Sequence, residues 1–301
     1  MGFENIPLRV IGQNISAKYA GFGAPSGVIT PVAQGFITVW ETTSDSQTLT
    51  IPHDGTGYDG AINWYNNSTD ALIVSDTFSD ADMSGLAQVM PTTGEYRCEI
   101  TGDFPKINTY QAADDEFLIE ILNAGDVNWA SSGLRFTNAG NLVSVEYGDF
   151  IDVFTTIRTL HQNNNNLATA PDMTGFALVI DASLAFHYCG DMTTCPDLSG
   201  CIVNKKLYST FRSCSSLTTI IPPSIRSVTT AEAMLTSTPI STASYDAMWV
   251  AFRAEAETYG AQDDTDFGGG AATCTIGGAG EAARQWFVDT YSWVIVDGGS
   301  I

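Results

Sequence analysis

The side chains in this 301-residue sequence that could do chemistry are few and scattered. His53, His161 and His187 are the three imidazoles, and with abundant Ser and Asp a nucleophile–histidine–acid triad can be drawn on paper. No G-x-S-x-G elbow or comparable context surrounds a serine, so no triad is assigned. His53 sits in PHDGTG, a turn signal. His187 follows a recurring Phe and matches Arg212 in a later copy, which places it toward solvent; all three histidines read as structural. GGAGEAAR at 277–284 sets Gly ahead of a helix, whose first amides can cradle phosphate, but it lacks the Lys-Ser/Thr of a P-loop and reads as a tight turn into a helix. Asp263, Asp264 and Asp266 could give oxygens to calcium, but the EF-hand order and its closing Glu are missing. Asp114, Asp115 and Glu116 form a similar acidic loop, and nothing singles out an acid pair for glycoside cleavage. The six cysteines (Cys98, Cys189, Cys195, Cys201, Cys214 and Cys274) form no C-x-x-C pair, and the six-residue spacing of three of them is not a zinc spacing. They are expected as buried free thiols. The residues therefore assign no catalytic group, no cofactor and no metal.

Charge narrows the partners. The net charge is −22, from 12 Lys+Arg against 34 Asp+Glu. A nucleic-acid or anionic-membrane face needs clustered cations, so neither partner is expected. No apolar run reaches the roughly 18 residues that would span a bilayer, and the first residues lack the basic head and continuous apolar stretch of a secretory signal.

The elements that must position any site fall into four stretches. Residues 1–34 hold scattered apolar residues, among them Phe3, Ile6, Tyr19 and Phe22, with no helical or strand period; this is expected to be an extended arm that orders on a partner. From 35 to 110, short segments such as FITVW, QTLTI, AINWY and EYRCEI alternate with turn clusters and predict a small β-sandwich. In EYRCEI, period two puts Tyr96, Cys98 and Ile100 on one face, and Arg97 and Glu99 on the other. From 111 to 240 the chain repeats itself. Phe136, Leu160, Phe186, Phe211 and Leu235 recur at near-constant intervals, and Leu142, Leu167, Met192 and Leu217 recur in step. The period of about 25 predicts a solenoid whose coils cover one another, with a short strand in each L-x-x-I-like core and a helical turn that puts Leu207 and Phe211 on one side. From 241 to 301 a helix is predicted from a Ser241 or Thr242 cap, with Tyr245, Trp249 and Phe252 on one face and Gly260 as its stop. A second helix over GEAARQWFVDTY and a strand in SWVIVDGG complete an α/β cap.

FITVWETTSDSQTLTIP, GEYRCEITGDFPKI, FHYCGDMTTCPDLSG, FRSCSSLTTI and the closing STASYDAMWVAF, DFGGG and WVIVDGG together resemble the BspA-like leucine-rich-repeat surface proteins, including versions in bacteriophage virions. The resemblance covers about 36–301. It implies an Ig- or PKD-like β-sandwich followed by a leucine-rich-repeat-type solenoid with an α/β C-terminal cap. Trp64-Tyr65-Asn66-Asn67-Ser68 replaces the Trp-Gly-Asp-Gly type turn that relatives often carry. The function it implies is a non-enzymatic virion structural protein, a tail appendage or capsid decoration, exposed on the particle. Residues 1–34 fall outside the resemblance and, with Phe3, Ile6, Tyr19 and Phe22, are for that reason expected to be the element that docks to other virion proteins; host-surface glycan or protein would be the target. A trimer or other symmetric oligomer suits an appendage. A bacterial surface adhesin and a polysaccharide-degrading virion enzyme are the alternatives.

Overall fold

A computed structural model describes residues 35–110, 112–148 and 153–301. The arm residues Phe3, Ile6, Tyr19 and Phe22 lie outside the described residues.

The front of the chain folds on the alternation visible in its sequence. β1 (Phe36–Thr42), β3 (Asp59–Asn66), β4 (Leu72–Ser79) and β6 (Gly94–Asp103) pair antiparallel. β8 (Leu118–Asn123) joins antiparallel on the free side of β1, and β10 (Ser144–Val145) joins β8 in parallel, giving the order β10-β8-β1-β6-β3-β4. β2 (Gln47–Thr50) and β5 (Ala87–Met90) form a separate pair. Trp40, Trp64, Tyr96 and Cys98 are fully or almost fully buried beneath this sheet. Arg97 points to the opposite face and is nevertheless covered: its guanidinium lies 4.3 Å from the Tyr65 ring centroid and pairs with Asp70 and Glu99.

The fold class read from the repeats requires correction. The described residues are mostly β with two α-helices, no sheet closes, and no leucine-rich-repeat solenoid sheet forms. Between β9 (Leu134–Arg135), which pairs in parallel with β7 (Ile107–Asn108), and β11 (Thr230–Ala231), the chain makes single parallel bridges: Thr156 to Asp181, Asp181 to Lys206, and Lys206 to Thr230. The physical reason lies three residues beyond each bridge. Thr159, Leu184, Ser209 and Ala233 are left-handed, with φ between 52° and 60°, and Asn163, Tyr188, Ser213 and Ser237 are left-handed four residues later. Two such turns per coil cut every extended segment short and forbid a helix. The helical turn expected around Leu207 and Phe211 is therefore a run of turns through Ser209. The extended residue is Lys206, not the L-x-x-I-like core.

Stacking is nonetheless register-matched. Phe136 N–H donates to Leu160 O at 2.8 Å, His161 to Ala185 at 2.7 Å, Phe186 to Thr210 at 3.0 Å and Phe211 to Met234 at 3.1 Å. Phe136, His161, Phe186 and Phe211 thus occupy equivalent places, and their rings follow one another at 5.8, 5.7 and 5.8 Å. Leu160 is buried but one residue out of that row. Leu142, Leu167, Met192 and Leu217 are all fully buried inside the stack. Each such side chain contributes roughly 1.5–3 kcal/mol by leaving water. One polar position also recurs: the Cys189 thiol donates to His161 O (3.1 Å), Cys214 to Phe186 O (3.0 Å) and the Thr238 hydroxyl to Phe211 O (2.5 Å). These groups satisfy carbonyls in a core that excludes water.

The stack ends in an α/β unit. α1 (Thr242–Tyr259) starts at Ser241, whose side chain accepts the Ser244 amide, and stops at Gly260. β12 (Asp266–Gly268), α2 (Ala279–Tyr291) and β13 (Val294–Val296) follow, with β11-β12-β13 all parallel. Trp249 of α1 packs against Phe267, Phe287 and Trp293 at 4.9, 5.7 and 6.2 Å. Asp297, just beyond β13, accepts two hydrogen bonds from Arg284 (2.7 and 2.8 Å) and one from the Tyr245 hydroxyl (2.7 Å), tying α1 and α2 to the sheet end.

Candidate binding face

The histidines and cysteines are placed apart, and His161 and all six cysteines are buried. His53 is exposed in a bridge to Ile107, its Nδ1 3.1 Å from Ile51 O. His187 is only half-buried and stacks beside Tyr188 at 4.2 Å; burial and the Arg212 charge both lower its pKa. His161 is fully buried, with Tyr147 Oη on Nε2 (2.5 Å) and Asn164 Nδ2 on Nδ1 (3.0 Å). Loss of hydration pulls its pKa down to about 3, which keeps the ring neutral. All six cysteines are buried and free. Burial pushes Cys195, Cys214 and Cys274 up to about 12 and Cys201 up to about 11, so they remain thiols rather than nucleophilic thiolates.

The Gly-rich approach to α2 is filled from within: the Glu281 carboxylate accepts the Gly277 N–H at 2.6 Å, where an anion would bind. Among the described residues no group of three or more His, Cys, Asp or Glu could hold a metal ion, and the Asp263–Asp264–Asp266 run does not converge. Asp114 is committed to the Thr50 amide at 2.8 Å.

What the fold does gather is a surface. In an extended segment side chains two apart share a face. The bridge residues Asp181, Lys206, Thr230, Asp266 and Val294 therefore form one row across the ladder, and Ser183, Tyr208, Glu232, Gly268 and Val296 form a second row beside it. Lys206, Tyr208, Glu232, Asp266, Val294 and Val296 are exposed on it. Lys206 Nζ lies 3.4 Å from Asp181 Oδ2, joining adjacent coils. Toward β13 the face sinks into a groove of about 520 Å³ lined by Glu232, Ala233, Asp266, Phe267, Val294 and Val296. An aromatic ring, a cation, two carboxylates and an apolar floor on a rigid backing can grip a ligand.

The sequence-predicted positions Phe136, Phe186, Phe211, Leu142, Leu167, Met192 and Leu217 are buried in the interior of the stack. Which residues make up this face is not legible from the apolar repeat positions alone. Asp181 and Lys206, opposite in charge and one repeat apart, carried the same period. No protein-family model matches the chain, and no curated protein or solved structure matches it.

Proposed function

We propose that this chain is a non-enzymatic attachment protein of a bacteriophage particle, a tail appendage or capsid decoration, that binds a host-surface glycan or protein through the outer face of its ladder. The observation carrying the reading is that face: Lys206, Tyr208, Glu232, Asp266, Val294 and Val296 are exposed in two rows on a stack whose own cysteines and His161 are sealed inside. Tyr208 supplies flat amphipathic contact area, and the charges beside it supply orientation, as binding surfaces require. Each contact is modest, and many copies on one particle convert modest affinity into firm attachment.

The test is a titration of labelled full chain onto isolated host-envelope material, beside the variant Lys206→Ala/Tyr208→Ala. The reading predicts saturable binding that the variant weakens at least tenfold, and envelope glycan of unchanged chain length. Equal binding by the two proteins, or progressive shortening of the glycan, overturns it.

A further inference from the structure

Strand β13 is the outer member of its sheet and, among the described residues, pairs on one side only. Val294 N–H donates to Thr265 O at 3.1 Å, and Gly269 N–H donates to Val296 O at 2.9 Å, both toward β12. In a parallel ladder the intervening residue turns its backbone the other way, so the N–H and C=O of Ile295 face the open edge. Sheet edges are ordinarily guarded by a charge, a proline, a bulge or a covering loop. The front sheet follows that rule. Its outer strand β4 carries Asp76, and Gly85 packs so close to the Thr77 carbonyl that a Cβ there would lie 2.1 Å from the oxygen. β13 reads Val-Ile-Val, with no charge, proline or bulge, and no described segment pairs with its outer side. Val294 and Val296 are 55% and 67% exposed, and Ile301, five residues on, is 71% exposed.

Charge and backbone together select the occupant. On the outer face Asp266 stands one strand inward, with Glu232 just past β11 beyond it, and both line the groove. Neither carboxylate has a cationic partner among the described residues. A second copy, at net charge −22, would set the same acids against each other, so self-pairing is opposed and a cationic partner is drawn in. A small amine or a metal ion would answer the charge but leave the Ile295 groups unpaired; a polypeptide answers both, because it continues the ladder. Between the edge and the acids lie Val294 and Val296. The methylene stem of a Lys or Arg can rest on such a surface while its head reaches a carboxylate.

We propose that the edge of β13 receives an extended segment of a partner protein as a fourth strand, with a Lys or Arg of that segment lying across Val294 toward Asp266. The choice of a protein partner rests on the ladder face being a contact surface, and not on the chain belonging to a particle. An added strand would stand two strand spacings from β12, about 10 Å, a gap that a long cationic side chain and the Asp266 carboxylate bridge between them. An edge of three residues supplies few main-chain bonds, so charge carries much of the affinity and salt weakens it.

The test is a titration of the isotope-labelled full chain with the synthetic peptide acetyl-Val-Lys-Val-Lys-Val-amide, followed through backbone amide shifts. Saturable binding is expected, with the Ile295 amide shifted and its hydrogen exchange slowed at least tenfold. Binding should weaken at least tenfold for a peptide with Glu in place of both Lys, for a peptide N-methylated at every backbone amide, and for the chain variant Glu232→Gln/Asp266→Asn. Both substituted side chains are exposed, and unchanged amide shifts away from the groove verify that the variant is folded. No binding at millimolar peptide, an unshifted Ile295, or undiminished binding by the N-methylated peptide or the chain variant overturns the proposal. Wild-type chain that binds host-envelope material but not the peptide overturns the fourth strand alone; chain that binds the peptide but no envelope material overturns the attachment role alone.

Discussion

Lowering the pH from 7 to 5 charges a histidine in the unfolded chain but not at position 161 of the folded one. His161 is sealed between Phe136 and Phe186, and burial draws its pKa from 6.5 to about 3. Between those two values the unfolded state binds a proton that the native state refuses, so stability falls as pH falls through 6.5 and stops falling below the native value. From pH 7 to 5 the loss attributable to this ring is about 2 kcal/mol, with free histidine at about 6.5 as reference. That corresponds to roughly 3 °C in Tm for a chain of this size. The assay is thermal or urea unfolding at both pH values for the wild type and for His161→Phe/Tyr147→Phe. In the double variant a phenyl ring continues the aromatic row, and Tyr147 no longer carries a hydroxyl in need of a partner. Every ionisable group other than those at 161 and 147 is common to the two proteins and cancels in the difference. Over this interval the variant should lose less stability than the wild type, by about 2 kcal/mol. An equal pH dependence in the two proteins would refute the burial of a neutral ring at 161.

Three further outcomes follow from other contacts. Asp297 is held below the usual carboxylate range: burial opposes ionisation, but the bonds from Arg284, Tyr245 and Gly299 outweigh it, so its contribution is present at neutral pH and is lost as pH falls below about 3.8. Arg284→Met leaves that buried charge unpaired and should cost about 3–5 kcal/mol in urea unfolding at pH 7. At Ser213, whose φ is 62°, Ser213→Gly should stabilise by up to about 1 kcal/mol while Ser213→Val destabilises by at least as much in the same measurement. Cys214→Thr, copying the hydroxyl bond that Thr238 makes one coil later, should stay within about 1 kcal/mol of wild type, whereas Cys214→Val should cost about 1–3 kcal/mol through the orphaned Phe186 carbonyl.

The repeat period was legible because apolar residues at equivalent places must be buried together, and Leu142, Leu167, Met192 and Leu217 are. The form of each coil was not legible. Thr159, Leu184, Ser209 and Ala233 take positive φ although nothing in their residue types asks for it; the backbone is bent by stacking, not by glycine. The same limit shifted the aromatic row. Leu160 outranks its neighbour in hydrophobicity, and His161 holds the buried place only because Tyr147, from the preceding coil, and Asn164 supply its polar contacts. β8 and β10 extend the front sheet past residue 110 because the free side of β1 needs partners, a requirement of register rather than of local sequence. α1 was legible from its cap, its aromatic stripe and Gly260, since those signals are local. The ladder face was not legible because Lys206, Tyr208, Glu232, Asp266, Val294 and Val296 share no residue type, and the interval between paired residues changes beyond β11.

Gold-labelled antibody raised against the segment around Tyr208 tests most directly the proposal that this chain is an outward-facing contact surface on a particle. Intact particles purified from the source culture are predicted to carry label at a regular, repeated position, and antibody bound there should block attachment to host cells. Particles that carry no copy of the chain, or that attach undiminished with every copy covered, would contradict the account.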